Sequence, residues 1–427
     1  MTTAKEDRTR AGQPDRTISL FQLLDPVVLA DPYPLYARLR TQDPVHWDPF
    51  LKTWVVTRYK DVITVLLNPA FSADRTPTPD KLAEMGLANL TPIADVMVRQ
   101  MLFLDPPAHG RLRGLASKAF TPRRVEMLRG HIQNITNSLL DGVEARGTHR
   151  MEVIEDIAFP LPAIVTAEML GVPTADHRQL KTWSTDFAEM LGNFQHNPDR
   201  AARVLRSTNE MTAYFRDAIR DHREHPRDDL INGLLTAEID GDRLSEEEVV
   251  ANVIVTMVGG QETTTNLIGN GMLSLLRHPD QLAKLRADYT LIPSAIEELL
   301  RFESPSQHTA RIARDDFEIG SRVIRKHQAV YAVMAAANRD PERFPDPDRL
   351  DITRKDNRHV AFGWAAHFCF GAPLARLEGQ IALEAIIRRF PNLSLESSPL
   401  VWRENLGLRG LTALPVGFRH GARGAHG

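Results

Sequence analysis

The chain is almost devoid of cysteine: 427 residues contain one thiol, Cys369. A lone cysteine cannot close an intramolecular disulfide or build a multi-cysteine zinc site. It fits a reducing compartment. Long apolar runs are missing too. None approaches the ~18 residues that span a bilayer, and the most apolar stretch, residues 249–258, is interrupted by Asn252 and Thr256. The N-terminus, Met1-Thr-Thr-Ala-Lys-Glu-Asp-Arg, has no signal-peptide apolar core, so a cytoplasmic location is expected. Neither sign of charge dominates. A net charge of −3 argues against a nucleic-acid footprint.

What is present is an ordinary globular composition with helical periodicity along most of the chain. The spacing predicts helices over 34–40, 123–145, 200–224, 279–287 and 374–390. Strand-like pieces are short: 46–57, 317–323, 330–333 and 392–395. This predicts a mainly α fold with a minor β region, in one domain over 17–418. The polar ends, 1–16 and 419–427, are expected to be disordered. Ser245 and Glu248 fit a capping box, with Leu244 and Val249 as a hydrophobic staple. The helix they start should run to about 276 and cross the interior, because it is apolar on most faces.

Cys369 lies in Phe362-Gly-Trp-Ala-Ala-His367-Phe-Cys369-Phe-Gly371. The plain reading of a free cysteine is a small buried hydrophobe. The alternative is a thiolate serving one metal. Glycines permit tight turns here, and a helix beginning at Gly371 offers its dipole and unpaired N–H groups to a thiolate. A thiolate on haem iron favours O–O cleavage. At these residues the chain resembles the cytochrome P-450 family, whose loop reads F-G-x-G-x-H-x-C-x-G. Phe362, Gly363, His367, Cys369 and Gly371 match. Ala365 replaces the second glycine, which is expected to adjust the loop without abolishing ligation. The resemblance implies haem b held by Cys369, and a fold whose long central helix crosses over the haem.

That helix contains Val258-Gly259-Gly260-Gln261-Glu262-Thr263-Thr264-Thr265. Two glycines cost about 1 kcal/mol each relative to alanine. Close approach of a flat ligand would offset this, and hydroxyls bonded to i−4 carbonyls could bulge the helix. A helix crossing at small residues is the other reading. The family's A/G-G-x-D/E-T segment matches at Gly259, Gly260, Glu262 and Thr263. The resemblance implies that Glu262 and Thr263 are an acid–alcohol pair beside bound O2.

Glu298 and Arg301, three apart on a helix, match the family's E-x-x-R. As a bare pattern this fits a solvated face equally well. The resemblance makes it a buried ion pair supporting the haem site, joined by Arg349 or a neighbour in 338–349. His109 and Arg113, four apart in Asp105-Pro-Pro-Ala-His109-Gly-Arg-Leu-Arg113, read alone as a basic stripe. By resemblance they bind a haem propionate, together with Arg311 and His367.

Resemblance places substrate contacts in 71–100, 187–197, the helix face with Val255 and Val258, Gln307 to Thr309, and Leu411 with Thr412. The mix suits a mainly apolar small molecule with a few hydrogen-bonding groups. The chain looks like bacterial members that tailor polyketides, terpenoids, steroids or peptides. The expected activity is a monooxygenase using O2. Its electrons are expected from a ferredoxin and ferredoxin reductase, since no flavin or iron–sulfur module is evident. The ferredoxin would dock near Lys118, Arg123 and Arg124. A monomer without membrane or nucleic-acid partners is expected. The alternatives are a peroxide-driven peroxygenase, a non-catalytic haem sensor, and a helical protein with an inert cysteine.

Overall fold

A computed structural model describes residues 18–84, 87–190, 198–396 and 399–418. The two termini expected to be disordered lie outside the described residues. So do parts of the proposed substrate segments 71–100 and 187–197.

Helices form where apolar residues recur at helical spacing. They include Tyr33–Gln42, Ala108–Ala119, Pro160–Leu170, His177–Met190, Pro198–Glu224, Pro279–Ala287, Ile292–Phe302 and Ala372–Arg389. The helix expected over 123–145 is two, Pro122–Met127 and Arg129–Ala145. The break falls at Leu128, whose N–H turns back to the Val125 carbonyl three residues away. Two expected strands are likewise hairpins. The run 46–57 folds as β1 (Val45–Asp48) and β2 (Thr53–Val56), turning at Lys52 with φ +50°. The run 317–323 becomes Phe317–Ile319 and Arg322–Ile324, turning at Gly320 with φ +61°. These turns lie in the left-handed region that ends regular pairing.

β3 (Phe71–Ser72), β4 (Thr309–Ala313) and β5 (Ala329–Ala332) complete a five-stranded sheet in the order β1-β2-β5-β4-β3. Only the β5–β2 pair is parallel. Val45, Val56, Val330 and Ala332 form a satellite core against it, with Val62 and Val65 from the helix Tyr59–Leu67.

The main core surrounds a 32-residue helix, Glu246–Arg277. Its capping box is formed: Glu248 N–H donates to Ser245 Oγ at 3.2 Å, and Ser245 N–H donates to the Glu248 carboxylate at 2.9 Å. Three glutamates in the first turn and Arg277 in the last complement the macrodipole. The helix runs unbroken through Gly259 and Gly260, and no bulge forms there. The hydroxyls of Thr256, Thr263 and Thr265 instead donate to carbonyls four residues back, at 2.6–2.8 Å, within regular helix. Between Val249 and Leu275 every residue is buried except Val255, Thr256, Gly259, Gly260 and Thr263. That i, i+1, i+4, i+5, i+8 spacing is one face over two turns. A cleft therefore meets the central helix at mid-length. No helix among the described residues is long and apolar enough to cross a membrane.

Candidate active site

The Cys369 loop is shaped by its own backbone. Cys369 N–H donates to the Phe362 carbonyl at 2.8 Å, and Gly363 N–H to the Val360 carbonyl at 2.9 Å. Gly363 sits at φ +72° and Ala365 at φ +57°. The alanine thus keeps a left-handed conformation that glycine adopts freely and L-residues resist by roughly 1–2 kcal/mol. Ala365→Gly is expected to raise stability by roughly 0.5–1 kcal/mol, since glycine's looser unfolded state offsets part of the relief. Thermal unfolding measures it, and a lowered midpoint would show that the loop is not strained there.

The thiol is partly exposed. Burial pushes its pKa up, opposed by the N–H groups of Gly371 and Ala372 and by the Arg113 and Arg376 guanidinium groups. A bound metal ion deprotonates a coordinating thiol outright, so those donors face a site built to hold a thiolate.

Two consecutive glutamates on the helix Ile292–Phe302 hold this loop. Arg301 grips Glu298 with two parallel bonds, each 2.8 Å, and both side chains are fully buried. Arg301 also donates to the Asn338 and Pro347 carbonyls, and Asn338 Oδ1 accepts the Val360 N–H that opens the loop. The second cation on Glu298 is Arg354, at 3.2 Å, and not Arg349, which contributes its backbone carbonyl. The turn at 351–354 folds back under Glu298, and Asp351 N–H donates to the same carboxylate. Glu297, next in line, takes Arg376 at 2.6 and 2.9 Å and His359 at 3.2 Å. Burial would raise Glu297, but His359 and Arg376 outweigh it and hold the carboxyl at about 2. Arg376 also lies 4.5 Å from the Phe362 ring centre.

On the sheet side of the loop, cations gather without enough acids. The rings of His109 and His367 lie 4.1 Å apart. Arg311 is buried, and among the described residues its guanidinium bonds only to the Thr309 hydroxyl and the Ala310 carbonyl. Arg113 donates to the Phe368 carbonyl. Burial, then the neighbouring Arg311 and His109, push His367 down to about 3, and burial pushes Arg311 down to about 10. The nearby acid, Asp105, is taken by Ser72, the Ala73 N–H and Arg314. His109 Nε2 is buried with no hydrogen-bond partner. All four residues predicted to face propionates therefore lie in one neighbourhood whose nearby acid, Asp105, is already bound by others.

On the opposite side, the accessible stripe of the central helix presents Thr263, whose hydroxyl donates to the Gly259 carbonyl at 2.6 Å. Glu262 is only 2% exposed and turns away from that stripe. It is bound by Lys181 at 2.7 Å, Arg403 at 2.6 Å and the Thr185 hydroxyl at 2.7 Å. Burial would raise this carboxyl, but Lys181 and Arg403 outweigh it and hold it at about 2. The expected acid–alcohol pair is thus split between two faces of one helix.

The substrate residues also divide. Val255 is on the accessible stripe and Thr309 is partly exposed. Val258 and Leu411 are buried in the main core. Gln307 is buried, accepting from Tyr36 at 2.8 Å and donating to the Ser304 carbonyl at 2.6 Å, so its amide holds the fold together. Thr412 is exposed, with its hydroxyl on the Val401 carbonyl. Of the basic docking residues, Lys118 donates to the Glu238 carbonyl and Arg124 pairs with Asp228 at 3.2 Å, while Arg123 is exposed.

These residues fit haem b. A Cβ placed on Gly259 or Gly371 would meet nothing within 4 Å, so both glycines border open space that suits a flat ring. The thiol can supply the iron ligand. The anion-poor cluster can supply partners for two carboxylates.

Residues 52–408 match the family profile described as Cytochrome P450. The chain is 42% identical over 401 residues to cytochrome P450 monooxygenase PikC of Streptomyces venezuelae, covering 92% of each chain. It is 40% identical to vitamin D(3) 25-hydroxylase of Pseudonocardia autotrophica, covering 90% of this chain and 93% of that one. Among solved structures, P450BioI in complex with an acyl carrier protein ligated to hexadec-9Z-enoic acid superposes with a TM-score of 0.86 at 40% identity, covering 92% of this chain and 99% of that one. With a lone thiol in the matching loop and an accessible stripe on an otherwise buried central helix, the chain is a haem b enzyme of the cytochrome P450 family.

Proposed function

We propose that the protein is a ferredoxin-dependent monooxygenase that inserts one oxygen atom of O2 into a C–H or C=C bond of a mainly apolar small molecule. The reaction balances as substrate, O2, two electrons and two protons giving oxygenated product and water. The observation that carries it is the five-residue accessible stripe on an otherwise buried helix, with Thr263 on it and Glu262 close behind.

Haem b supplies O2 activation when bound through the Cys369 thiolate. The chain's own residues position and protonate. The Thr263 hydroxyl donates its hydrogen bond to the Gly259 carbonyl, which leaves its own oxygen lone pairs to accept a hydrogen bond from the cleft. Glu262 takes part in proton supply only by leaving Lys181 or Arg403, or through a water between them. Thr263→Ala is expected to retain haem and ligand binding. Hydrogen peroxide per electron pair should rise, and product should fall by up to about a hundredfold. Unchanged coupling would remove Thr263 from the proton path.

Several observations bear on substrate and electron supply. Relatives named for vitamin D(3) hydroxylation and for a hexadec-9Z-enoic acid complex handle long, mainly apolar molecules. Val255 and Gly259 offer the cleft a wall of the same character. The deciding experiment titrates such compounds and watches the spin-state change of the haem. Turnover is then compared with NADPH alone, with ferredoxin and its reductase added, and with hydrogen peroxide. Turnover only with the redox proteins supports the proposal. Efficient turnover with peroxide alone would make the protein a peroxygenase.

A further inference from the structure

The cation count at the sheet side of the cleft includes a residue that the sequence pattern did not single out. Arg75 follows β3, whose pairing with β4 sets Phe71 opposite Ala313 and Ser72 opposite Ile312, so the chain leaves the sheet beside Arg311. Asp105 fixes that exit through Ser72 and the Ala73 N–H. Asp74 N–H donates to Ser72 Oγ at 3.0 Å, and Arg75 folds back to give an N–H to the Ala73 carbonyl at 3.2 Å. Its guanidinium lies 4.5 Å from the centre of the Phe103 ring. Burial, then the charge of Arg311, push Arg75 down to about 9. Asp105 is spent on Ser72, Ala73 and Arg314. A guanidinium on the same sheet edge as Arg311, with no ion pair to a carboxylate among the described residues, stores repulsion that an anion relieves.

We infer that Arg75 is a haem-propionate ligand of this chain, closing over the cofactor edge from the segment after β3 and sharing that edge with Arg311 and His367. The inference rests on the haem assignment above. The Cys369 spectrum tests that assignment separately, so the two can fail independently. The geometry favours propionate over a substrate carboxylate because Arg75 leaves the sheet beside Arg311 and packs on Phe103, six residues before His109.

The test measures haem transfer from the ferric protein to excess apomyoglobin, together with the reduction potential, in wild type, Arg75→Gln and Arg75→Lys. Arg75→Gln is expected to release haem about tenfold faster, as for loss of one charge-assisted bond, and to shift the potential to more negative values. Arg75→Lys keeps the charge but not the fork. It should therefore hold the wild-type potential while still releasing haem faster. If Arg75→Gln fails to accumulate, the lysine variant carries the test, and wild-type transfer in it would overturn the inference. Wild-type transfer and potential in Arg75→Gln, with weakened spin-state titration by hexadec-9Z-enoic acid, would overturn it in favour of a substrate-carboxylate anchor.

Discussion

Cys369→Ser is expected to abolish the thiolate-type spectrum. The reduced carbon monoxide complex of the wild-type protein should show the strongly red-shifted Soret band that thiolate ligation gives, and the serine variant should lack it entirely. The chain contains one cysteine, so no second thiol can substitute. A serine hydroxyl is a far weaker acid than a thiol, and the N–H groups of Gly371 and Ala372 cannot make up that difference. Total protein should fall little, because the loop is fixed by the Cys369 N–H bond to Phe362 and the Gly363 bond to Val360, neither of which involves the sulfur. Survival of the red-shifted band in the serine variant would remove Cys369 as ligand and, with it, the basis for the activity proposed.

Glu298→Ala and Arg301→Ala should each prevent accumulation of haem-loaded protein. Removing Glu298 strands the guanidinium of Arg301 and weakens the hold on Arg354, and it orphans the Asp351 N–H. Removing Arg301 strands the carboxylate and frees the carbonyls of Asn338 and Pro347. Breaking a buried pair from one side costs roughly 3–5 kcal/mol, a large part of the ~5–15 kcal/mol that keeps a typical protein folded. Haem per polypeptide in purified protein and urea unfolding both measure this. Arg354→Ala should be milder, because its bonds to Glu298 are longer, at 3.2 to 3.3 Å, and it is partly exposed. Wild-type haem content in both alanine variants would mean that the pair is dispensable.

Much of this site was legible in the sequence because its signals are local. The five matched positions of 362–371, the box Ser245–Glu248 and the pair Glu298–Arg301 each span ten residues or fewer. Physical chemistry reads such spacings directly. What escaped depends on distant chain. Arg403 reaches Glu262 from 141 residues away, and Tyr36 reaches Gln307 across 271. No periodicity announces either. Lys181 left one faint sign, a lysine beside Leu180 and three residues before Ser184 on a stripe that also holds Trp183 and Phe187. The rotation of the central helix was illegible for another reason. It is apolar on most faces, so Val255 and Val258 look equivalent until the neighbours are placed. Arg354 and Arg349 could not be separated because both lie in irregular chain whose course is set by the carbonyls it wraps around.

The adjacent carboxylates Glu297 and Glu298 carry one more consequence. Neighbouring residues on a helix point about 100° apart. One therefore reaches the chain entering the cysteine loop, through Arg301 and Asn338 to Val360. The other reaches the helix leaving it, through Arg376. A single helical turn clasps both ends of the loop, so the loop cannot loosen unless that turn does. Amide hydrogen exchange at Val360, Gly363 and Cys369 should then follow the rate of the helix Ile292–Phe302 and behave as one cooperative unit with it. The thiol would keep its position through every change of ligand in the cleft. The cleft wall could then change its contacts while the Cys369 sulfur stays in place.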